Sequence, residues 1–185
     1  QTEGSSGCRG CPSGRYVAVV GSDALADCEH CEVGRYQNDG SQSHCKLCSA
    51  GFAQGSTGRT VCGQCSAGYA AGAAEASACS PCSPGFVASG VQATTCAMCG
   101  SGRYQDVGAQ SACKQCTAGK YRDVSITAHG ADGSQCFQCA PGYFTAADGV
   151  HSACTKCPVG KVQPAWGATT CSACNWGKYM DAEHQ

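Results

Sequence analysis

Ten Cys-x-x-Cys pairs run the length of this 185-residue chain, and three residues after the second Cys of every pair stands a Gly. The pairs begin at Cys8, Cys28, Cys45, Cys62, Cys79, Cys96, Cys113, Cys136, Cys154 and Cys171, so most steps are 17 residues and the exceptions are 18, 20 and 23. A period this short and regular describes a tandem array in which each unit leans on its neighbours, not a single globule. Function must then be sought in the array, since no segment stands apart as a catalytic domain.

The units lack the side chains to form a core. Leu, Ile, Val and Phe make up only about a tenth of the chain, half the roughly 20% below which a packed interior becomes doubtful. Small modules of this kind are held by disulfides or by metal. Paired zinc ligands predict a gap of about 15 to 20 residues and pairs taken two at a time, whereas the usual gap here is 13 residues and no superperiod is visible. The five His residues keep no fixed place in the repeat. The spacing therefore favours disulfides, which implies an oxidising, extracellular or luminal setting. A redox Cys-x-x-Cys would need a βαβ pattern to carry it, and there is none.

A net charge of −1 argues against nucleic acid, which requires a basic stripe or face at high pI. No run of 18 apolar residues exists to span a membrane. The unit Cys31 to Cys45 shows how one repeat reads. Gly34 permits a positive φ just after the cysteine, Tyr36 starts an extended arm, and Asn38-Asp39-Gly40 sends the chain back towards Cys45. Arms of six or so residues would make a flap of roughly 20 Å. The expected fold is thus small, disulfide-rich and mostly β or irregular: an elongated rod of about ten tandem hairpin-like repeats, with almost no helix.

Variation inside the repeat points to surfaces. An aromatic stands two residues after the Gly at Tyr16, Tyr36, Tyr104, Tyr121, Phe144 and Tyr179, but one residue earlier at Phe52, Tyr69 and Phe86. Adjacent side chains of a strand face opposite ways, so these three rings either change face or shift register. The eighth unit has both Tyr143 and Phe144, and the ninth has Val162 with Trp166 further on. Rings that cover the disulfides as miniature cores are one reading; stacking on carbohydrate or a protein partner is the other. Arg15, Arg35, Arg103, Lys120, Lys161 and Lys178 directly follow the Gly, as a solvated face or as partners for carboxylates. Two residues before the closing Cys stand Ser43, Thr60, Ser77, Thr94, Ser111, Ser134, Ser152 and Thr169. A local side-chain to backbone hydrogen bond explains them, with O-linked glycosylation as the alternative.

The pattern Cys-x2-Cys-x2-Gly-x-Tyr, then about ten residues and Cys, resembles the ephrin-receptor-like cysteine-rich repeat and the related first subunit of tumour-necrosis-factor-receptor modules. The match extends from Cys8 to Tyr179. The resemblance implies that the Cys before the Gly bonds the next Cys along, which joins Cys11 to Cys28, Cys31 to Cys45, Cys48 to Cys62, Cys65 to Cys79, Cys82 to Cys96, Cys99 to Cys113, Cys116 to Cys136, Cys139 to Cys154 and Cys157 to Cys171. Nine tandem repeats then occupy 11–28, 31–45, 48–62, 65–79, 82–96, 99–113, 116–136, 139–154 and 157–171, or 11–173 together. Residues 1–10 form a lead-in with the first Cys, and 174–185 begin a tenth, incomplete repeat. Each bridge would contribute about 3 kcal/mol by restricting the unfolded chain. This scheme leaves Cys8 and Cys174 for partners in a neighbouring segment or chain. An interlocked scheme, Cys8 to Cys28 with Cys11 to Cys31 and so on, uses all twenty cysteines but predicts an odd and even difference between units that the sequence does not display. The abrupt end of the tenth repeat at Gln185 suggests a longer array or an end-to-end assembly.

These readings point to a non-catalytic, extracellular or cell-surface structural and adhesive protein, a segment of a coat, stalk or filament. Its partners would be proteins, copies of itself or neighbouring repeats in particular, with carbohydrate as a further candidate. The alternative is a ligand-binding receptor ectodomain that grips its partner around the long seventh unit, at Ser125 to Gly133. Asp39 to His44 and Asp148 to Ser152 place Asp, Ser and His together, but in turns without a pocket to activate a nucleophile. The Asp-Gly turns also lack the alternating oxygens of a calcium loop, so no metal or cofactor is expected.

Overall fold

The computed structural model describes residues 7–125 and 133–179. Among them the chain forms nine two-stranded antiparallel sheets, one to each repeat. The only helical segment among the described residues is a single turn, Leu25–Asp27, in the long loop of repeat 1. There Asp27 Oδ2 accepts the amides of Asp23 and Ala24. Each repeat is closed by one disulfide between its opening and closing Cys, Cys11 with Cys28 through to Cys157 with Cys171, nine in all. The chain divides into two compact units, Gln1–Pro81 with Ser89–Thr95, and Cys82–Ala88 with Cys96–Gln185.

The register is the same in every repeat. The residue after the Gly pairs with the residue before the next opening Cys, as in Arg35 with Leu47 and Arg103 with Gln115. The next residue pairs with the one following the closing Cys, as in Tyr36 with Lys46. Each strand is only two residues long, not the six expected from the sequence. The reason lies in the third residue after the Gly, whose backbone groups go to other repeats. Gln37 gives its N–H to Arg59 O in repeat 3 at 3.0 Å and takes the N–H of Gly14 in repeat 1 at 2.7 Å. The same two bonds recur at Gln54, with Ala76 and Gly34, and in the second unit at Gln105, with Gly133 and Gly85. A ladder inside one hairpin is thereby cut short and replaced by a ladder between hairpins.

The chain reverses at a residue four before the closing Cys, and this tip turn ties three repeats together. In repeat 2 the left-handed residue is Ser41, φ +59, rather than the neighbouring Gly40. Its N–H reaches Cys11 O of the preceding repeat at 2.8 Å. Gly58, Glu75 and Gln92 do the same with Cys31, Cys48 and Cys65, and Ala109 and Gly167 with Cys82 and Cys139. The carbonyl of the same residue rests on the Gly two repeats back. A Cβ at Gly14 would overlap Gly58 O, at Gly34 Glu75 O, at Gly51 Gln92 O and at Gly119 Gly167 O. The positive φ foreseen for these glycines is present, +77 at Gly34, but close approach of another backbone is the stricter demand.

The core is a string of small buried sites. The opening Cys of every repeat is buried, Cys31, Cys48, Cys65, Cys116 and Cys139 completely. Beside it lies the third residue after the Gly, buried as Gln37, Ala71, Ala88, Gln105, Arg122 and Thr145. The rings do not form these miniature cores: Tyr69 is 36%, Tyr143 40% and Tyr179 87% exposed, and the other aromatics of this position are half-buried. The two-residue strand explains it. A sheet of two-residue strands is too small to cover a ring, so a ring on either face lies along the surface.

Candidate interaction surface

Because the register never shifts, each hairpin offers two fixed faces. Cross-strand partners share a face and successive residues alternate. The residue after the Gly and the residue before the opening Cys therefore stand together: Arg15 with His30, Arg35 with Leu47, Arg103 with Gln115, Lys120 with Gln138, Lys161 with Ala173. Phe52 with Gln64, Tyr69 with Pro81 and Phe86 with Met98 occupy the same place. The early rings have thus changed face. Tyr16, Tyr36, Tyr104, Tyr121 and Phe144 lie on the other one.

The first face is met by the tip turn of the repeat two further on, and the residue at that tip sets its charge. Glu75 reaches Arg35 Nε at 2.5 Å. Gln92 Nε2 donates to Gln64 Oε1 at 3.0 Å. His30 lies against Gly58 and Gln138 against Gly167. Where the tip is Gly, as over Arg15 and Lys120, the cation on the strand beneath receives no carboxylate among the described residues. On the second face, Lys114 Nζ bonds Asp106 at 2.5 Å and lies 5.8 Å from the Tyr104 ring centre. The hydrogen bond from Lys114 holds the Asp106 carboxyl below the usual range, and Asp106 in turn raises the Lys114 ammonium. Lys46 makes the matching contacts in repeat 2, with Asn38 at 2.6 Å and Asp39 at 2.8 Å. Tyr16 donates to Glu29 at 2.7 Å, and that bond raises its phenol.

Inside, the third residue after the Gly satisfies whichever chemistry it brings. Gln37 Nε2 donates to His44 O and its Oε1 accepts the Asp39 N–H, bracing the two arms of the hairpin. Gln54, Gln105 and Gln163 repeat both bonds. Arg122 differs, sending Nη1 to Cys99 O at 2.6 Å and Arg103 O at 3.1 Å. Its side chain thus reaches back to the preceding repeat, where the Gln residues bond within their own hairpin. These residues were missed in the sequence because Gln, Ala, Arg and Thr share no obvious property. Their constant offset from the Gly was the signal.

The remaining candidates are scattered. Ser43, Thr60, Ser77, Thr94, Ser111, Ser152 and Thr169 are exposed, and Ser134 is half-buried. The expected bond to nearby backbone is not found at the seven exposed ones; Ser43 Oγ instead meets His44 Nδ1 at 3.3 Å. The tip turns use backbone groups to fix this arm, which leaves the hydroxyls to solvent. Cys8 is an exposed thiol and Cys174 a half-buried one. Asp39 is engaged by Lys46, Asp148 by the Ala118 amide and His151 by Ala147 O, so neither Asp, Ser and His group forms a relay. One cavity of about 290 Å³ is lined by Tyr36, Ser49, Phe52, Val61 and Cys62, and another of about 520 Å³ by Ala173 to Lys178. Neither lining holds a His, Asp or Glu. The Ser125 to Gly133 segment lies, but for its two end residues, outside the described residues. No helix among the described residues is long and apolar enough to cross a membrane.

Two segments of the chain, residues 19–65 and 87–129, match the family described as tyrosine-protein kinase ephrin type A/B receptor-like. No curated protein matches the chain. The matched segments take in the hairpin, staple and inter-repeat bonds that recur along both units. The matched family is a receptor-like one and not a catalytic one, and disulfides in this number fit an oxidising, extracellular setting.

Proposed function

We propose that this array of ephrin-receptor-like cysteine-rich repeats is a non-catalytic structural and adhesive segment of an extracellular coat, stalk or filament. The observation that carries this reading is the way the repeats join. Within each unit, described tip turns bond the repeat before them and rest on the Gly of the repeat before that, as Glu75 does with Cys48 and Gly34 and Gly167 with Cys139 and Gly119, so order propagates from repeat to repeat through backbone groups. The outward faces are left to vary, from Arg35 to Phe52 to Tyr69 at one position. A scaffold that conserves its joints and varies its faces suits a supporting and contact-making role. Copies of the chain, or neighbouring repeats, are the proposed partners, with Cys8 and Cys174 as thiols available for covalent links between segments.

Light scattering and negative-stain microscopy of the oxidised protein at rising concentration test the proposal. Concentration-dependent linear assemblies are expected; monomers throughout would overturn the filament reading. A second reading, a ligand-binding ectodomain, draws support from the receptor-like family match. Deleting Ser125 to Gly133 would then abolish capture of a protein partner while leaving the disulfides intact.

A further inference from the structure

In repeats 6 to 9 of the second unit, the face shared by the residue after the Gly and the residue before the opening Cys is cationic. Each of repeats 6 to 9 places one cation in this cross-strand pair: Arg103 beside Gln115, Lys120 beside Gln138, Lys156 beside Tyr143 and Lys161 beside Ala173. Repeat 8 is the informative one. Its first strand has an aromatic at the cationic position, and the charge reappears on the opposite strand of the same pair, so the face keeps its cation although the sequence position does not.

Nothing described in the unit neutralises these charges. The tip residues that would meet them are Val150 over repeat 6 and Gly167 over repeat 7, where the first unit sets Glu75 against Arg35. All three described carboxylates of the unit are engaged elsewhere. Asp106 holds Lys114, Asp123 holds the Ser125 amide and hydroxyl, and Asp148 accepts the Ala118 amide. Asp132, Asp181 and Glu183 lie outside the described residues. The first unit, by contrast, sets five cations against six carboxylates among its described residues, and its pairs Phe52 with Gln64 and Tyr69 with Pro81 carry no charge.

We propose that these four cations, Arg103, Lys120, Lys156 and Lys161, form a ribbon that binds a linear polyanionic polysaccharide, sulfated or uronic. One cation per repeat suits a ligand whose own charge repeats along a chain. The companions in the pairs suit a sugar: the amides of Gln115 and Gln138 offer donors and acceptors to hydroxyls, and the Tyr143 ring, 40% exposed, offers an apolar surface to a pyranose face. A net charge of −1 over the chain means that binding of a polyanion must come from local arrangement rather than bulk attraction. The inference shares with the proposed function only the extracellular setting, where such polymers occur, and its readout is separate from assembly.

The test uses the oxidised full chain and a heparin dodecasaccharide as probe, with neutral dextran and polyglutamate of matched charge as comparators. Binding to the dodecasaccharide is expected, weakening as salt rises and exceeding that to either comparator. Each single alanine substitution at the four cations should lower affinity about three-fold, and all four together about 100-fold. The Lys120→Arg, Lys156→Arg, Lys161→Arg variant should retain binding, which separates charge from folding, and Arg35→Ala in the first unit should leave it unchanged. Undiminished binding in the quadruple variant overturns the proposal. So does equal binding of polyglutamate, which would assign the ribbon to an acidic protein segment, or of dextran.

Discussion

Substituting alanine for Gly34 and, separately, for Gly142 isolates what the repeated glycine is for. Both have the same place in the repeat and similar backbone, φ +77 and +84. Left-handed backbone costs a non-glycine residue about 1–2 kcal/mol, and the chain accepts this cost at Ser41, Glu75, Gln92 and Ala109. At Gly142 no described atom lies within 4 Å of the added methyl group, so Gly142→Ala should cost only that amount. At Gly34 the methyl would overlap Glu75 O, and the tip of repeat 4 must move. The hydrogen bond from Glu75 N to Cys48 O, 2.8 Å, and the Arg35–Glu75 contact are then at risk. One backbone bond contributes about 1 kcal/mol and an exposed ion pair between zero and about 1 kcal/mol, so Gly34→Ala should cost about 1–2 kcal/mol more than Gly142→Ala.

Hydrogen exchange reads this difference locally, which suits an array that does not unfold in one step. The Glu75 amide should exchange about 5- to 30-fold faster in Gly34→Ala, since each 1.4 kcal/mol is about tenfold, and be unmoved by Gly142→Ala. If the two substitutions had equal effects, or if the Glu75 amide kept its protection in Gly34→Ala, the glycine would be required for its φ alone and the contact two repeats away would be incidental.

Three further outcomes follow from named contacts. Gln37→Ala removes the brace between the arms of repeat 2, and exchange at the Asp39 amide should report a loss of about 1–2 kcal/mol. The fold itself should persist, because Ala71 and Ala88 fill this site natively. Arg122→Met keeps the volume but strips Cys99 O and Arg103 O of the guanidinium, and should cost about 2–4 kcal/mol, read as faster reduction of the Cys99–Cys113 disulfide. In an NMR titration the Asp106 carboxyl should ionise below the usual range and rise towards it in Lys114→Met, where its backbone hydrogen bond remains. The pair's contribution is present above the ordinary Asp value and lost as pH falls through the lowered one. At high pH it is lost as pH rises through the raised value of Lys114.

The hairpin array was legible because its signal is repeated: the cysteine pair, the Gly and the aromatic recur at fixed offsets, and one unit reads for all. The face of Phe52 and Tyr69 was legible only as a choice, since alternation along a strand permits either a changed face or a slipped register until Phe52 is seen opposite Gln64. What the sequence concealed is the partner of each backbone group. Nothing about Gln37 or Glu75 announces a bond to repeat 3 or a carbonyl set against Gly34, because those contacts run through peptide groups common to every residue. For the same reason the rings of Tyr36 and Tyr104 were expected to supply a core, whereas a string of cysteines with small or self-satisfied neighbours supplies it. The cationic ribbon was visible as Arg103, Lys120 and Lys161; Lys156 joins it only once the register sets it beside Tyr143.

The account rests on each repeat being closed on itself while its backbone reaches forward to the next two. Proteolytic mapping of the unreduced protein by mass spectrometry tests this most directly. The predicted result is peptide pairs that join Cys31 to Cys45 and Cys48 to Cys62, and likewise along the chain, with Cys8 and Cys174 recovered as alkylated thiols. Pairs joining Cys8 to Cys28 and Cys11 to Cys31 would contradict it, because repeats interlocked in twos could not present the same joint at every step.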